Sequence, residues 1–389
     1  MEIQKDKNGI ILVSGSVTSD NAEEFREELL KYAKGKELEL DCLELSYISS
    51  AGLKEFVRLM KQGKTLSLIN VNPSVYEILN MTGLTDHIHV ERALRKVSVE
   101  GLPLIGEGVT ASVYRLDDDK VIKVYLPGIP KKIIDQEHEI TKQGFLSGID
   151  TMVAYDIVST EKGLATIFEN VGEHTLFYYM KEDHSKLQEL VTSFGLFVKE
   201  QHKKTLDVNI FGSAKEKTIE CLRQYELISI SKETSDRLVS IVDRMIPPSE
   251  EFAHMDCHAG NVIVKDGHFV FIDVGKMCCG HLICDMMTMF LQYRFQSFHH
   301  LGEAYASSKA KAFSPEERLL IWNSFFQAAT GIQDEKLKQK AEAQISVFAG
   351  LQILEARGYA KRSIPDELFK QLIEEAFAYD LQGCEPLVF

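Results

Sequence analysis

The chain has 389 residues, 44% hydrophobic and 26% charged, an ordinary globular composition in a length that exceeds one hydrophobic core, so two or three folding units are expected. A formal net charge of −14 with no basic run to offset it argues against a nucleic-acid partner and against an anionic membrane surface. The opening MEIQKDKNGIILVSG lacks an apolar core of signal-peptide length, and the longest apolar stretches, near MMTMFL and ISVFAGLQIL, are too short to span a bilayer, so a cytoplasmic protein is expected.

To about residue 92 short apolar strands alternate with amphipathic helices: GIILVSG, NAEEFREELLKYAK, ELELDCLEL, AGLKEFVRLMKQ, TLSLINV and PSVYEILNMTG. Such alternation predicts a small α/β layer domain over residues 1–92. The charged ERALRKVSVEG supplies a linker at 93–100, and a second domain is expected over 101–389. That domain opens on strand-like PLIGEGVTASVYRL, the turn DDDK and strand VIKVY, followed by a helix around 131–146 and strands MVAYDIV and ATIFENV. A long helical region is predicted over 183–245, a hairpin over 261–273, and helices from about 283 onward. The expected fold class is therefore α/β followed by α+β, the second part bilobal, with a β-rich lobe to about 171 and a helical lobe from about 172. Seven cysteines between Cys42 and Cys384 fit reduced thiols. Around Cys278, Cys279 and Cys284, with Cys257, His258 and His281 nearby, no CxxC pair occurs to go with the His254 and His258 spacing, so inert buried thiols are expected there and not zinc.

Gly106 and Gly108 occupy a turn between two strands, where a bare backbone can lie over phosphates. Lys123 sits inside the apolar strand VIKVY, a costly place for an ammonium unless it meets a fixed anion such as a nucleotide phosphate or a helix carboxylate. The next helix offers Glu137 and Glu139 on nearly opposite faces, and Glu139 is favoured as the partner.

In HMDCHAGNVIVKDGHFVFIDVG, residues 254–275, the apolar runs VIV and FVFI flank the turn signal Asp266-Gly267. Folding that hairpin brings Asn261 beside Asp273, to within one position of register. An amide oxygen and a carboxylate converging there are hard ligands suited to Mg²⁺, and Asp256 lies on the entry loop within reach. Phosphoryl transfer needs a carboxylate to take the hydroxyl proton, metal ligands and a phosphate-holding lysine, and Asp256, Asn261, Asp273 and Lys123 supply one residue for each role.

The order GEGxTxxVY, VIKVY, helix glutamate, HxDxHxxN and FIDxG resembles the aminoglycoside phosphotransferase and choline kinase-like branch of the protein-kinase-like superfamily, over roughly residues 96–389. The resemblance implies that Asp256 is the catalytic base, that Asn261 and Asp273 bind Mg²⁺, and that Lys123 with Glu139 positions the ATP phosphates. It makes IFENV, Ile167 to Val171 and so including Glu169, the hinge that receives adenine through its backbone. His254 and His258 become structural supports, as does Asp285, which would brace the catalytic loop from below. The chain departs from the protein-kinase pattern in having two of the three loop glycines and DVG for DFG.

LDCLELSYISSAGL is similar to the signature of STAS domains, the fold of anti-sigma-factor antagonists, over nearly all of residues 1–92. Asp41, Ser50, Gly52 and Leu53 match that signature, and Ser49 stands where it usually has aspartate. The likeness makes Ser50 a candidate phosphorylation site, since a helix start favours added negative charge; the alternative is that Ser49 or Ser50 only caps the helix.

The expected function is an ATP- and Mg²⁺-dependent phosphotransferase acting on a small-molecule hydroxyl, with the STAS part regulatory or docking to a protein partner. Two alternatives stand beside it: a serine protein kinase in a partner-switching circuit that acts on Ser50 or on another STAS serine, and a nucleotide-binding regulatory module with little turnover. Glu303, Glu355 and Glu374 in the C-terminal helices are acidic positions that could meet a cationic acceptor, although surface carboxylates usually face solvent.

Overall fold

Period-two burial in ILVSGSV and TLSLINV, with Ile11, Val13, Val17, Leu66 and Leu68 inside, sets the sheet of the first unit, Met1–Ser98. The computed structural model describes the chain except residues 8, 34, 109, 225, 227–229, 299–308, 360–370, 372–386 and 388–389. The first unit runs β1 (Glu2–Lys5), β2 (Ile11–Val17), α1 (Ala22–Tyr32), β3 (Glu37–Asp41), β4 (Leu45–Ile48), α2 (Ser50–Lys61), β5 (Thr65–Val71), α3 (Pro73–Met81), β6 (His89–Arg92) and the two-residue β7 (Arg95–Lys96). Its strands lie in the order β1-β2-β3-β5-β6 with β4 also on β2. Apart from the β1–β2 pair the pairings are parallel, so helices must carry the crossovers. ELELDCLEL is divided between β3 and the approach to β4, with Cys42 buried between them. Phe25 and Phe56 meet edge to face at 5.6 Å where α1 and α2 cover the sheet.

The second unit, Val99–Phe389, begins with β8 (Leu104–Glu107), β9 (Ala111–Arg115), β10 (Lys120–Tyr125), α4 (Lys131–Leu146), β11 (Ala154–Thr160) and β12 (Gly163–Glu169). These strands form an antiparallel sheet in the order β11-β12-β10-β9-β8. The helical lobe follows with α5 (Leu176–Glu182), α6 (Leu187–His202), α7 (Val208–Phe211), α8 (Ala214–Arg223) and α9 (Lys232–Met245). The long helical region expected over 183–245 is thus interrupted: Asp207, Ser213 and Ser231 each cap a new helix, and Gly212 stops α7 with φ +72°.

Next come β13 (Phe252–Ala253), the hairpin β14 (Val262–Lys265) and β15 (His268–Phe271), and β16 (Cys278–Cys279), which pairs with β13. Helix α10 (Ile283–Met289) passes through a π-turn at Phe290–Arg294, and helices Pro315–Thr330 and Glu335–Tyr359 complete the described lobe. Phe194, Phe252, Phe271, Phe290, Trp322 and Phe325 fill its core. Glu342 is buried among them, a costly place for a carboxylate without partners. Arg294 pairs with it through Nε and Nη2 at 3.1 and 3.0 Å, and Trp322 Nε1 donates to it at 2.6 Å. No helix among the described residues is long and apolar enough to cross a membrane.

Candidate active site

The β14–β15 hairpin closes through two residues, Asp266 and Gly267, both left-handed (φ 51° and 79°), as a type I′ turn requires. Val262 therefore pairs with Phe271, and Ile272 N–H donates to the Asn261 carbonyl at 2.9 Å. Asn261 lies opposite Ile272, one position from Asp273. Asp273 itself is left-handed at φ 57°, which turns the chain as it leaves the hairpin.

Lys123, on β10, reaches across to this point. Its Nζ lies 2.9 Å from Asp273 Oδ1 and 2.5 Å from Glu137 Oε1. Burial opposes the charge on Lys123, but Asp273 and Glu137 outweigh it and raise its pKa. Burial likewise opposes ionisation of Asp273, and Lys123 again prevails, holding the carboxylate below its usual range.

The lysine's helix partner is Glu137 and not the expected Glu139. Glu137 shares a helical face with buried Ile134, Thr141 and Gly144, the face α4 turns toward the sheet. Glu139 points to solvent and accepts from Gln143 Nε2 at 2.7 Å, one turn on. Gly275, two residues after Asp273, leaves room for the Glu137 side chain: a Cβ there would come within 2.7 Å of Glu137 Cγ.

Asp256 is held by a frame of buried polar groups. Asp285, wholly buried on α10, accepts from the backbone N–H of His254 at 3.1 Å and of Met255 at 2.9 Å, and burial raises its pKa. Those bonds hold Met255 in a left-handed conformation, φ 68°, that a non-glycine residue adopts only under constraint. The His254 imidazole donates from Nε2 to the Ile272 carbonyl at 3.2 Å and accepts at Nδ1 from Asp256 N–H at 3.3 Å, tying the loop to the strand that precedes Asp273. His258 accepts at Nδ1 from Gly260 N–H at 3.0 Å, and its Nε2 lies 3.9 Å from Asp256 Oδ1. Burial, with Lys309 as the next cause, depresses His258 to about 4, so a neutral ring faces the carboxylate. Asn261 Nδ2 donates to the Asp256 carbonyl at 3.0 Å. Its other amide atom is then an oxygen donor, and with Asp273 it gives an all-oxygen pair that fits Mg²⁺ completed by phosphate oxygens and water.

Above the hairpin, Val113, Val121, Phe168, Val171, Ile263 and Ile272 form one apolar cluster between the two lobes of the unit. In the expected hinge, Glu169 N–H is already committed to the Val153 carbonyl at 2.9 Å, and its carboxylate takes the Val153 N–H at 3.3 Å. Asn170 N–H is committed to the Asp119 carbonyl. The N–H groups of Glu169 and Asn170 are thus engaged within the protein. Gly106 and Gly108 lie on β8 and in the loop after it, and a Cβ added at either would meet nothing nearer than 3.5 Å, so that side of the turn is open.

Sequence reasoning missed two features. Lys309, about fifty residues beyond the Asp256 loop, brings its Nζ against Gly260, where an added Cβ would come within 2.5 Å of it. A cavity of about 420 Å³ touches Met255 and Gly275 and is walled by Leu222, Met287, Phe348 and Leu351. Neither has a local motif. Glu303, Glu355 and Glu374, named above as acidic positions, have side chains outside the described residues, as does Cys384. The thiols of Cys257, Cys278 and Cys284 are buried with pKa pushed up by desolvation, that of Cys278 to about 12, and the described residues contain no cluster of three or more His, Cys, Asp or Glu that could hold a metal.

In the first unit Ser49 is the N-cap of α2, its Oγ accepting from Gly52 N–H at 3.3 Å, while Ser50 is the first helical residue and is exposed. Gly52 lets the helix start press on the sheet, since a Cβ there would lie 2.6 Å from Val17 Cγ1.

Comparison with known proteins agrees with both units. A STAS domain profile matches residues 2–97. The anti-sigma-B factor antagonist of Bacillus subtilis (strain 168) is 29% identical over 96 residues, 23% of this chain and 88% of that protein. Among solved structures, the gentamicin complex of APH(2")-IIa matches with 16% identity and TM-score 0.44, over 80% of this chain and 98% of that one. A choline/ethanolamine kinase family protein from Mesorhizobium loti matches with 10% identity and TM-score 0.42, over 72% and 86%. The profile described as the phosphotransferase enzyme family matches residues 101–320, more than half of the chain, which therefore belongs to that family and carries a STAS domain at its N-terminal end.

Proposed function

We propose that this protein is an ATP- and Mg²⁺-dependent phosphotransferase that moves the γ-phosphoryl group to a hydroxyl of a small molecule, with the STAS domain as a regulatory or docking module. The observation that carries this reading is the junction of Lys123, Glu137 and Asp273 beside a loop whose buried hydrogen bonds aim Asp256. Lys123 is positioned to hold the nucleotide phosphates, with Glu137 fixing its direction. Asn261 and Asp273 are the residues that would hold Mg²⁺, which when bound neutralises phosphate charge and orients the transferring group. Asp256 takes the proton from the acceptor hydroxyl as its oxygen bonds to the γ-phosphorus. The bond from that phosphorus to the β,γ-bridging oxygen breaks, and its electron pair leaves with ADP. Val113, Val121, Ile263 and Ile272 offer apolar faces to a base, and Val171 offers it a backbone edge.

The cavity beside Met255 and Gly275 supports a small acceptor over a protein one, because it is the size of a ligand site. Its lining combines apolar side chains, Leu222, Met287, Phe348 and Leu351 among them, with Lys217 and Lys276, and Glu220 is the one carboxylate among the lining residues. That lining favours an alcohol with an apolar body over a polycationic sugar. Buried thiols such as Cys42 and Cys257 suit the reducing cytoplasm.

ADP release measured against a panel of amines, sugars, nucleosides and apolar alcohols tests this. Turnover stimulated by an apolar alcohol is expected. Stimulation by polycationic sugars alone would refute the acceptor class, and a protein that binds no nucleotide would refute the phosphotransferase reading. A second reading, a serine protein kinase, is kept open by the exposure of Ser50 at a helix start. Mass spectrometry after incubation with Mg·ATP decides it, since an unmodified Ser50, in the chain itself and in another copy offered as substrate, leaves the small-molecule reading ahead.

A further inference from the structure

The chain passes from the sheet lobe of the second unit to its helical lobe within a very short stretch. Asn170 still belongs to the sheet: its N–H donates to the Asp119 carbonyl at 2.8 Å and its Nδ2 to the Asp118 carbonyl at 3.0 Å, both in the turn between β9 and β10. His174 already belongs to the helical lobe, where its carbonyl accepts from Val264 N–H at 3.3 Å and the next residue, Thr175, bridges to Ile263. Gly172 seats the crossing on the β14–β15 hairpin, since a Cβ there would lie 2.9 Å from Ile263 Cγ2, and its φ of +134° is one that a side chain disfavours. Val171 and Gly172 are therefore the two residues about which the lobes can turn.

An ion pair straddles that pivot. Arg115 Nη2 donates to Glu173 Oε1 at 2.6 Å, and the two side chains are 34% and 57% exposed. The strand register sets Val113 opposite Lys123 and Arg115 opposite Val121, so these four side chains share one face of the sheet with the two cations at diagonal corners. Val113 and Val121 belong to the apolar cluster between the lobes, which puts Arg115 on the rim of that cluster. The other cation is bridged as well, from Lys123 to Asp273. In the function proposed above the phosphates take Lys123 and Mg²⁺ takes Asp273, so a bound nucleotide replaces this inner bridge. Arg115 and Glu173 have no such duty, and their bridge stays available across the cleft with the nucleotide in place. It is also weak enough to break. A single hydrogen bond joins the two groups, Arg115 Nε is buried without an acceptor among the described residues, and solvent screens both charges.

We propose that Arg115 and Glu173 are positioning residues that latch the two lobes across Val171 and Gly172, holding them closed on a bound nucleotide and so setting how fast it leaves. The proposal rests on the phosphotransferase reading above. Neither residue touches the transferring phosphoryl group or moves a proton. Closed, the pair keeps the apolar faces of Val113 and Val121 against the base and Lys123 over the phosphates. Open, it frees the mouth of the cleft for exchange of ADP for ATP. A bridge that served the fold alone would change unfolding and leave the release rate untouched.

The test is stopped-flow release of N-methylanthraniloyl-ADP, bound with Mg²⁺ to the full chain and chased by excess unlabelled Mg·ADP. Arg115→Met and Glu173→Gln should each speed release about fourfold, the size of effect a half-exposed ion pair supports. The double variant should be no faster than either single one, because all three lose the same interaction. Unchanged release in the single variants, or effects that multiply in the double variant, would overturn the latch and leave the phosphotransferase reading standing. Absence of binding of both labelled and unlabelled Mg·ADP by the unmodified protein would overturn both. If Arg115→Met does not fold, Arg115→Gln in the same assay decides.

Discussion

Ser50 and Asp256 both follow a short strand at the edge of a turn, yet they are held in opposite ways. Ser50 is exposed at the first position of α2, and the residue that organises the turn is its neighbour Ser49. Asp256 stands on a loop whose supports, His254, His258, Asn261 and Asp285, are all buried and polar. A surface hydroxyl can be exchanged or modified without exposing anything. Buried polar groups must keep every bond they make, because each loss leaves a donor or acceptor stranded away from water. Substitutions should therefore separate function from stability in the first unit and at Asp256 itself, and couple them in the frame beneath Asp256.

The largest effect expected is at the base. Asp256→Ala should lower kcat about a thousandfold or more while the urea midpoint followed by Trp322, the only tryptophan, stays within error, because the role proposed for Asp256 is in the transition state. Near-normal turnover would remove Asp256 from the mechanism. Next is its support. Asp285→Ala strands the N–H groups of His254 and Met255 and should cost about 2–4 kcal/mol in the same Trp322-monitored unfolding, with turnover lost as well. A variant as stable as the parent would show that these two hydrogen bonds do not stabilise the frame.

The glutamates of α4 give a smaller and sharper contrast. Glu137→Gln should lower kcat/KM for ATP about tenfold, since it removes one of the two charges that direct Lys123, whereas Glu139→Gln should change it less than about twofold. The reverse ranking would mean that α4 turns its other face to the sheet when nucleotide binds.

That contrast marks where the sequence ceases to be legible. The hairpin could be read because Asp266-Gly267 signals a turn between two apolar runs, which brings Asn261 to within one position of Asp273; the two-residue loop of the structure then sets the register, with Asn261 opposite Ile272. The face of α4 could not, because Ile133, Ile134 and Ile140 lie around the helix and apolar spacing alone does not choose between Glu137 and Glu139. Strands β1 and β6 were missed for a related reason: EIQK and HVER are short edge strands rich in polar residues and carry no alternation of the usual kind. Lys309 and the cavity by Met255 depend on helices far along the chain, and no local pattern encodes a contact made across fifty or a hundred residues. The helical region over 183–245 was legible, but not its division, because Asp207, Ser213 and Ser231, which each begin a new helix, are residues that serve equally well inside a solvated face.

The smallest effect belongs to the exposed site and tests its side of the comparison most directly. Ser49 Oγ accepts the Gly52 N–H, so Ser49→Ala should free that amide and cost α2 about 1 kcal/mol, seen as roughly fivefold faster hydrogen exchange at Gly52. Ser50→Asp, which adds charge at the helix start without touching the cap, should slow the same exchange slightly, by a few tenths of a kcal/mol. Opposite signs at adjacent serines would establish that capping and the site open to modification are divided between Ser49 and Ser50, so a phosphate could be added at Ser50 without cost to the turn. Equal slowing or equal acceleration would mean that the two hydroxyls share one cap, and modification at Ser50 would then have to break it.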